Sequence, residues 1–533
     1  MKKGFWAVVL GIIPVIWYFS LLDAYAVNVP KWDDHGLRAF LDRVLHATSV
    51  SGFFYAFWRQ HNEHRIVFDR LLAFFDYAVT GKLNFVHLMW AGSLTLVGLL
   101  IIWWKAVRNT FSPALLLPLP YLLFTLSQWE NMYWGMAAAQ NFGVVFFSAW
   151  AIYFLTIRKK LVPALLAALL ATCTSANGLI VWPILAVLWF LQAQPGKGIA
   201  TVIAGGASWA LYFWGYAKVP QPTHPVSSVI GSFLKASVLF LGSAFQPLYP
   251  SRPEALVWAG GIAVIVLAPT AVVLILLRIR KKEALPLDFF LLGMLAYIAG
   301  TTVVVAAGRM GFDDIVFLTS RYKIYSVLLL MTLYTWVLRQ GKWQVPVALG
   351  GIGFGVLFLL ASYTYFLPEA LRLRQQLLAM QYNWMIPGKP VVLSDAVNEP
   401  ARAFYDSCDM QVQTAVVVPL MPIRYEKDFA VLPLAKGQPG NYPDCYYLAK
   451  GAKRSYLVPV NFNRTNRVFA HPGSPDYLVP VSETVVSYLE MDPGNYRLYF
   501  VDAGSGNGCR TFETGRSLEI PVRPRPAALP QNW

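Results

Sequence analysis

Apolar stretches of membrane-crossing length recur along this chain, and short clusters of Lys and Arg separate them at every second gap. A backbone in hydrocarbon must satisfy its own hydrogen bonds, so such stretches become helices. About 20 residues are needed for each crossing. Segments from Phe5 to Leu22 and at 85–104, 112–127, 138–156, 161–174, 179–193, 199–217, 255–277, 287–306, 323–338 and 344–366 give about eleven helices on that criterion. The clusters Lys105/Arg108, Arg158-Lys159-Lys160, Lys197, Arg278/Arg280-Lys281-Lys282 and Arg339/Lys342 then all fall on one side, which the positive-inside rule makes the cytoplasm. Counting Val226 to Phe245 as another span breaks this agreement, so that segment, flanked by prolines, reads as interfacial or re-entrant.

The chain is 56% hydrophobic and only 14% charged, which excludes an ordinary soluble enzyme. Its net charge of +16 is accounted for by these clusters and by contact with anionic lipids, not by nucleic acid. Ala24-Tyr25-Ala26 resembles a signal-peptidase site, but the apolar run before it exceeds the usual roughly 7–15 residues and reads as an uncleaved first helix. An odd number of spans puts the C-terminus outside. The cysteines lack zinc-ligand spacing, and in an oxidising compartment one disulfide among Cys408, Cys445 and Cys509 is expected.

Two regions lie outside the spans. The first outer loop, 23–84, carries Leu37, Phe40, Leu41, Val44 and Leu45, then Ile66, Phe68, Leu71, Leu72 and Phe75, at helical spacing with charges between them. This predicts two amphipathic helices at the interface. From 367 to 533 the composition becomes polar, with a helix from Glu369 to Met380 and then short apolar runs broken by turn signals such as Pro493-Gly494-Asn495. That predicts a mostly β outer domain, with a sandwich as one arrangement.

Candidate chemistry gathers on the outer face. Trp32-Asp33-Asp34-His35-Gly36 and Gln60-His61-Asn62-Glu63-His64-Arg65 flank the first amphipathic helix. Five of the seven histidines lie in or beside this loop, while the spans hold almost no acids, which argues against a proton-coupled transporter. Later outer loops add Trp129-Glu130-Asn131, Asn177-Gly178, Asp313-Asp314 and Arg321-Tyr322-Lys323. A carboxylate can act as general base, and Arg or Lys can hold a phosphate leaving group. The same residues also fit blander roles: helix N-caps for Asp33-Asp34, an aromatic belt around Glu130, a tight turn at Asn177-Gly178.

An acidic pair just after the first helix, juxtamembrane helices, many spans and a terminal β-rich domain resemble the layout of the GT-C superfamily of polyprenyl-phosphate-dependent glycosyltransferases. That superfamily includes aminoarabinose transferases and O-antigen-modifying glucosyltransferases. The resemblance covers about residues 1–366. It implies a bacterial inner-membrane enzyme with a periplasmic C-terminal domain, moving a sugar from a lipid-phosphate donor to a glycan, lipid-linked or protein acceptor with inversion. It implies Asp33 or Asp34 as base, with Asp34 nearer the helix start, and Arg321, Lys323 and Arg65 on the lipid phosphate. Glu63, His64, Glu130 and Asn131 fall to substrate binding. The sequon-reading Trp-Trp-Asp motif and second-loop Asp-x-Asp of oligosaccharyltransferases are missing, which favours single-sugar transfer and disfavours, without excluding, a divalent metal. The alternative is a non-enzymatic component of surface-polysaccharide export or assembly.

Overall fold

The computed structural model describes residues 2–218, 228–250, 252–341, 343–384, 412–417, 420–433, 443–465, 477–503 and 510–523. It is a polytopic helical membrane protein with a β-rich C-terminal region. Among the described residues seven helices are long and apolar enough to cross a membrane, not eleven: Phe5–Tyr25, Phe85–Val107, Gly135–Thr156, Val229–Leu248, Pro253–Arg280, Pro286–Arg309 and Gln344–Trp384. Leu161–Thr174 and Ala176–Leu191 are shorter apolar helices. Pro195–Phe213 and Lys323–Arg339 are helical where two more spans were expected.

Two segments depart from expectation. The stretch 112–127 is not one helix but short turns, Pro113–Leu116, Pro118–Leu123 and Leu126–Gln128. Pro113, Pro118 and Pro120 lack the amide hydrogens that a continuous helix requires. Val229–Leu248 has the length and hydropathy of a span. It is thus a candidate span rather than the interfacial or re-entrant element expected; at one end of the bundle Lys235 pairs with Asp314 at 2.6 Å, and the Ala244 amide donates to Ser326. Gly242 and Gly261 let it press against the Pro253–Arg280 helix, since a Cβ on Gly242 would stand 2.0 Å from the Val257 carbonyl oxygen.

The basic clusters converge on the other end. Trp103 packs on Phe290 and donates to Thr335, Gly293 abuts Ile152 and Leu188, and the Lys197 ammonium donates to the Lys159 carbonyl. There Asp288, fully buried, bridges Arg278 at 3.1 Å and Arg339 at 3.2 Å. Lys342, Cys408 and Cys509 lie outside the described residues, and with the cysteines the expected disulfide; Cys445 is a buried free thiol.

The loop after α1 (Lys2–Tyr25) folds into three helices rather than two: α2 (Asp34–Leu45), α3 (Val50–Trp58) and α4 (Val67–Thr80), leading into α5 (Phe85–Val107). The extra helix, α3, is apolar almost all round, so it has no polar face to mark its period, and Ser49 caps it by accepting the Gly52 amide at 3.1 Å. Exposed Val50, Phe54, Leu71, Phe75 and Val79 give α3 and α4 an apolar outer surface suited to the membrane interface.

The Gln344–Trp384 helix continues through Pro368 into the C-terminal region without a break at residue 367. There β1 (Val412–Val417), β10 (Arg510–Ile520), β9 (Gly494–Asp502), β4 (Cys445–Lys450) and β5 (Ser455–Pro459) form a sheet in that order, with only β1 and β10 parallel. A second sheet joins β2 (Arg424–Tyr425), β3 (Phe429–Pro433) and β8 (Glu483–Ser487), and a third pairs β6 (Phe462–Arg464) with β7 (Leu478–Pro480). Alternation sends Tyr447 and Ala449 toward a core shared with Leu432 and Val486, and Tyr446 and Leu448 toward the helical domain. Gln375 fastens that second face, its amide donating to the carbonyls of Cys445 and Val460.

Candidate active site

Two short loops build the site. After α3 the chain reverses over Asn62 and Glu63, with His61 and His64 exchanging backbone hydrogen bonds at 2.9 and 2.8 Å. Asn62 takes a φ of +47°, a conformation that Asn tolerates better than most residues. Before α2 the chain turns from Lys31 to Asp34, with Trp32 at φ +42°. Lys31 is buried: its ammonium pairs with Glu130 at 3.1 Å and lies 4.5 Å and 4.7 Å from the ring centres of Trp32 and Trp134. A third wall comes from a π-helical stretch, Ala138–Phe142, that re-aims Gln140 and Asn141. Gly92 on α5 makes room for it, as a Cβ there would lie 2.3 Å from the Ala138 carbonyl carbon.

These walls enclose a cavity of about 180 Å³. Asp33, Glu63, His61, His64, Arg309 and Arg321 line it, with Asn62, Gln140 and Asn141 among the polar remainder. Burial raises the pKa of Asp33, opposed chiefly by Arg321, so its carboxylate is a stronger base than a free aspartate. Asp33 Oδ1 lies 3.5 Å from the Asn62 amide nitrogen and 3.9 Å from His61 Nε2. Burial pushes His61 down to about 3, and lowers His64 against the pull of Glu63, so both imidazoles are neutral. The Ala176 amide donates to His64 Nδ1 at 3.2 Å, which leaves the ring proton on Nε2. Arg309 pairs with Glu63 at 3.3 Å. Arg321 stands 3.5 Å from Glu130 and over the Trp134 ring.

Of the residues expected from sequence, Asp33, Glu63, His64 and Arg321 meet in this cavity. The others do not line it, and each is committed elsewhere. Asp34 is fully buried, and its two carboxylate oxygens accept the backbone amides of Lys31 and Met136 at 3.0 and 2.8 Å. That burial pushes it up to about 7. Arg65 donates to the carbonyls of Trp58, Tyr212 and Trp214, which hold it away from this cavity. Lys323 is buried against Phe366 and donates to the Leu318 carbonyl. Glu130 bridges Lys31 and Arg321, and Asn131 holds the Arg321 carbonyl and Asn141, so both position the cavity wall. Asn177 donates to Tyr325 within a 3-10 turn.

Residues that the expectation missed are His61, Asn62, Gln140, Asn141 and Arg309. His61, Asn62 and Arg309 stood in polar outer stretches and were legible as candidates; Gln140 and Asn141 looked like the start of a span, and only the π-helical turn exposes them. Among the described residues no group of three or more His, Cys, Asp or Glu is arranged to hold a metal ion. No family model, curated protein or solved structure matches this chain.

Proposed function

We propose that the chain is a GT-C-like glycosyltransferase of a bacterial inner membrane, taking a single sugar from a polyprenyl-phosphate donor to a hydroxyl of a periplasmic glycan, lipid-linked or protein acceptor. One observation carries this reading: a carboxylate with raised basicity, Asp33, shares a cavity of about 180 Å³ with two arginines, Arg309 and Arg321. The cavity lies at the end of the bundle opposite the basic clusters, which supports a periplasmic placement. Its size suits one sugar ring, in keeping with single-sugar transfer.

In this mechanism Asp33, not Asp34, takes the proton of the acceptor hydroxyl as its oxygen attacks the anomeric carbon. The bond from that carbon to the phosphate oxygen breaks, and the lipid phosphate leaves toward Arg321 and Arg309, with inversion. The Nε2 proton of His64 and the amides of Gln140 and Asn141 hold sugar hydroxyls. Glu130 fixes the direction of Arg321 and does not touch the substrate.

The test is binding of a synthetic short-chain polyprenyl-phosphate sugar to the full-length protein in nanodiscs. Arg321→Gln is expected to weaken it by about tenfold or more, the loss of a charge-assisted contact. Unchanged affinity overturns the phosphate assignment.

A further inference from the structure

A second cavity, of about 570 Å³, adjoins the first and shares Asn62 as a wall. Its size falls within the range of roughly 300–1,000 Å³ found for ligand pockets. Tyr55, Trp58 and Trp214 provide aromatic surface, and Arg59 and Lys218 provide charge. Among the described residues no Leu, Ile, Val or Phe lines it, and no acid does.

The walls are riveted before any ligand arrives. Gln60 clamps Ala217 in both directions, its amide nitrogen donating to the carbonyl at 2.7 Å and its oxygen accepting the amide at 2.9 Å. Arg65 ties Trp58 to Trp214 through their carbonyls at 2.7 and 2.6 Å and lies over the Trp58 ring. Arg65 itself lines the cavity, and because the groups it donates to are neutral carbonyls its positive charge adds to the lining. Arg59 and Lys218 make no ion pair among the described residues. The lining is therefore net positive and aromatic.

From this we infer that the cavity is the acceptor subsite and takes an anionic carbohydrate, one bearing carboxylate or phosphate groups. Indole and phenol faces stack on sugar rings, and the cations meet the negative groups. A lipid tail needs an aliphatic lining, which the described lining residues do not supply. An occupant reaching past Asn62 arrives at Asp33, because the Asn62 amide faces that carboxylate at 3.5 Å. The acceptor role rests on reading the Asp33 cavity as the transfer site; the binding itself does not.

Full-length protein in nanodiscs, with no donor, is probed with a panel of uronate-bearing, phosphate-bearing and neutral oligosaccharides, read by tryptophan fluorescence. At least one anionic member is expected to bind more tightly than every neutral one. Arg59→Gln with Lys218→Gln should weaken it by about tenfold or more, and Trp214→Ala should do the same. The charge variants remove no wall contact, and size-exclusion profiles check that they fold. Lack of preference for anionic glycans, or affinity indifferent to the variants, overturns the inference. So does loss, in those variants, of retained phosphatidylglycerol without any glycan binding, which assigns the cavity to lipid. If glycan binds as expected but Asp33→Asn also transfers normally, the subsite stands and the transfer mechanism falls.

Discussion

At both ends of the helical bundle a carboxylate meets two arginines, and the two ends use them differently. Asp288 is fully buried, and its two oxygens go one each to Arg278 and Arg339. Asp33 is 30% exposed in its side chain and faces a cavity, as do Arg309 and Arg321. In the Asp288 cluster both carboxylate oxygens are taken by arginines of the chain, so it can lock helices together but has no carboxylate oxygen left to act on a ligand. The charged groups around Asp33 are also paired, Arg309 with Glu63 and Arg321 with Glu130, but they line a cavity. An ion cluster in a membrane protein thus points to chemistry when its charged groups also face a cavity.

Substitutions can break this contrast. The largest stability effect is expected at the closed end: Asp288→Asn strands two arginines that are largely buried and should destabilise the protein by about 3–5 kcal/mol. Thermal unfolding in detergent measures it, and the transfer rate per folded molecule should be unaffected. Next comes Asp34→Asn, which trades one acceptor oxygen for a donor facing a backbone amide and should cost about 1–3 kcal/mol.

Asp34 also sets a pH dependence. Its pKa rises on folding from 3.8 to about 7, so the native state binds the extra proton between those values. That contribution is fully present below pH 3.8 and is lost as pH rises to about 7. The lowered His61 and His64 act in the opposite sense, so the test is the difference: across this window the unfolding midpoint of the wild type should decline relative to that of Asp34→Asn as pH rises. The smallest effect belongs to Arg309→Gln. Arg309 already shares its charge with Glu63, so donor affinity should drop by only a few-fold, less than for Arg321→Gln. An equal or larger drop for Arg309→Gln would rank the two cations the other way.

The same contrast marks what the residues reveal before folding. Long helices such as Phe85–Val107 and Pro286–Arg309 are legible because each is apolar over its own length. The 112–127 stretch is also rich in Leu, but its prolines break it, and window averages hide that. Helix α3 lacked a polar face and so went unseen, whereas α2 and α4 announced theirs. At the site, residue type was legible and direction was not. Asp33 and Asp34 are adjacent and chemically alike, yet one step along the chain separates a cavity wall from a carboxylate pinned by two backbone amides. Arg65 looked available for phosphate because two of its carbonyl partners, Tyr212 and Trp214, meet it only in three dimensions, and Lys323 because nothing in the sequence shows that its ammonium folds back onto the Leu318 carbonyl. Gln140 needed a π-helical turn to enter the site at all.

The account stands most directly on which aspartate does the work. Sugar transfer from a synthetic polyprenyl-phosphate donor should be compared for wild type, Asp33→Asn and Asp34→Asn in nanodiscs, each normalised to folded protein. Asp33→Asn is predicted to lose about 10²- to 10⁴-fold in kcat, the usual contribution of a general base, while Asp34→Asn keeps a rate near that of the wild type. Full activity in Asp33→Asn, or an inactive but folded Asp34→Asn beside it, would contradict the assignment of the site.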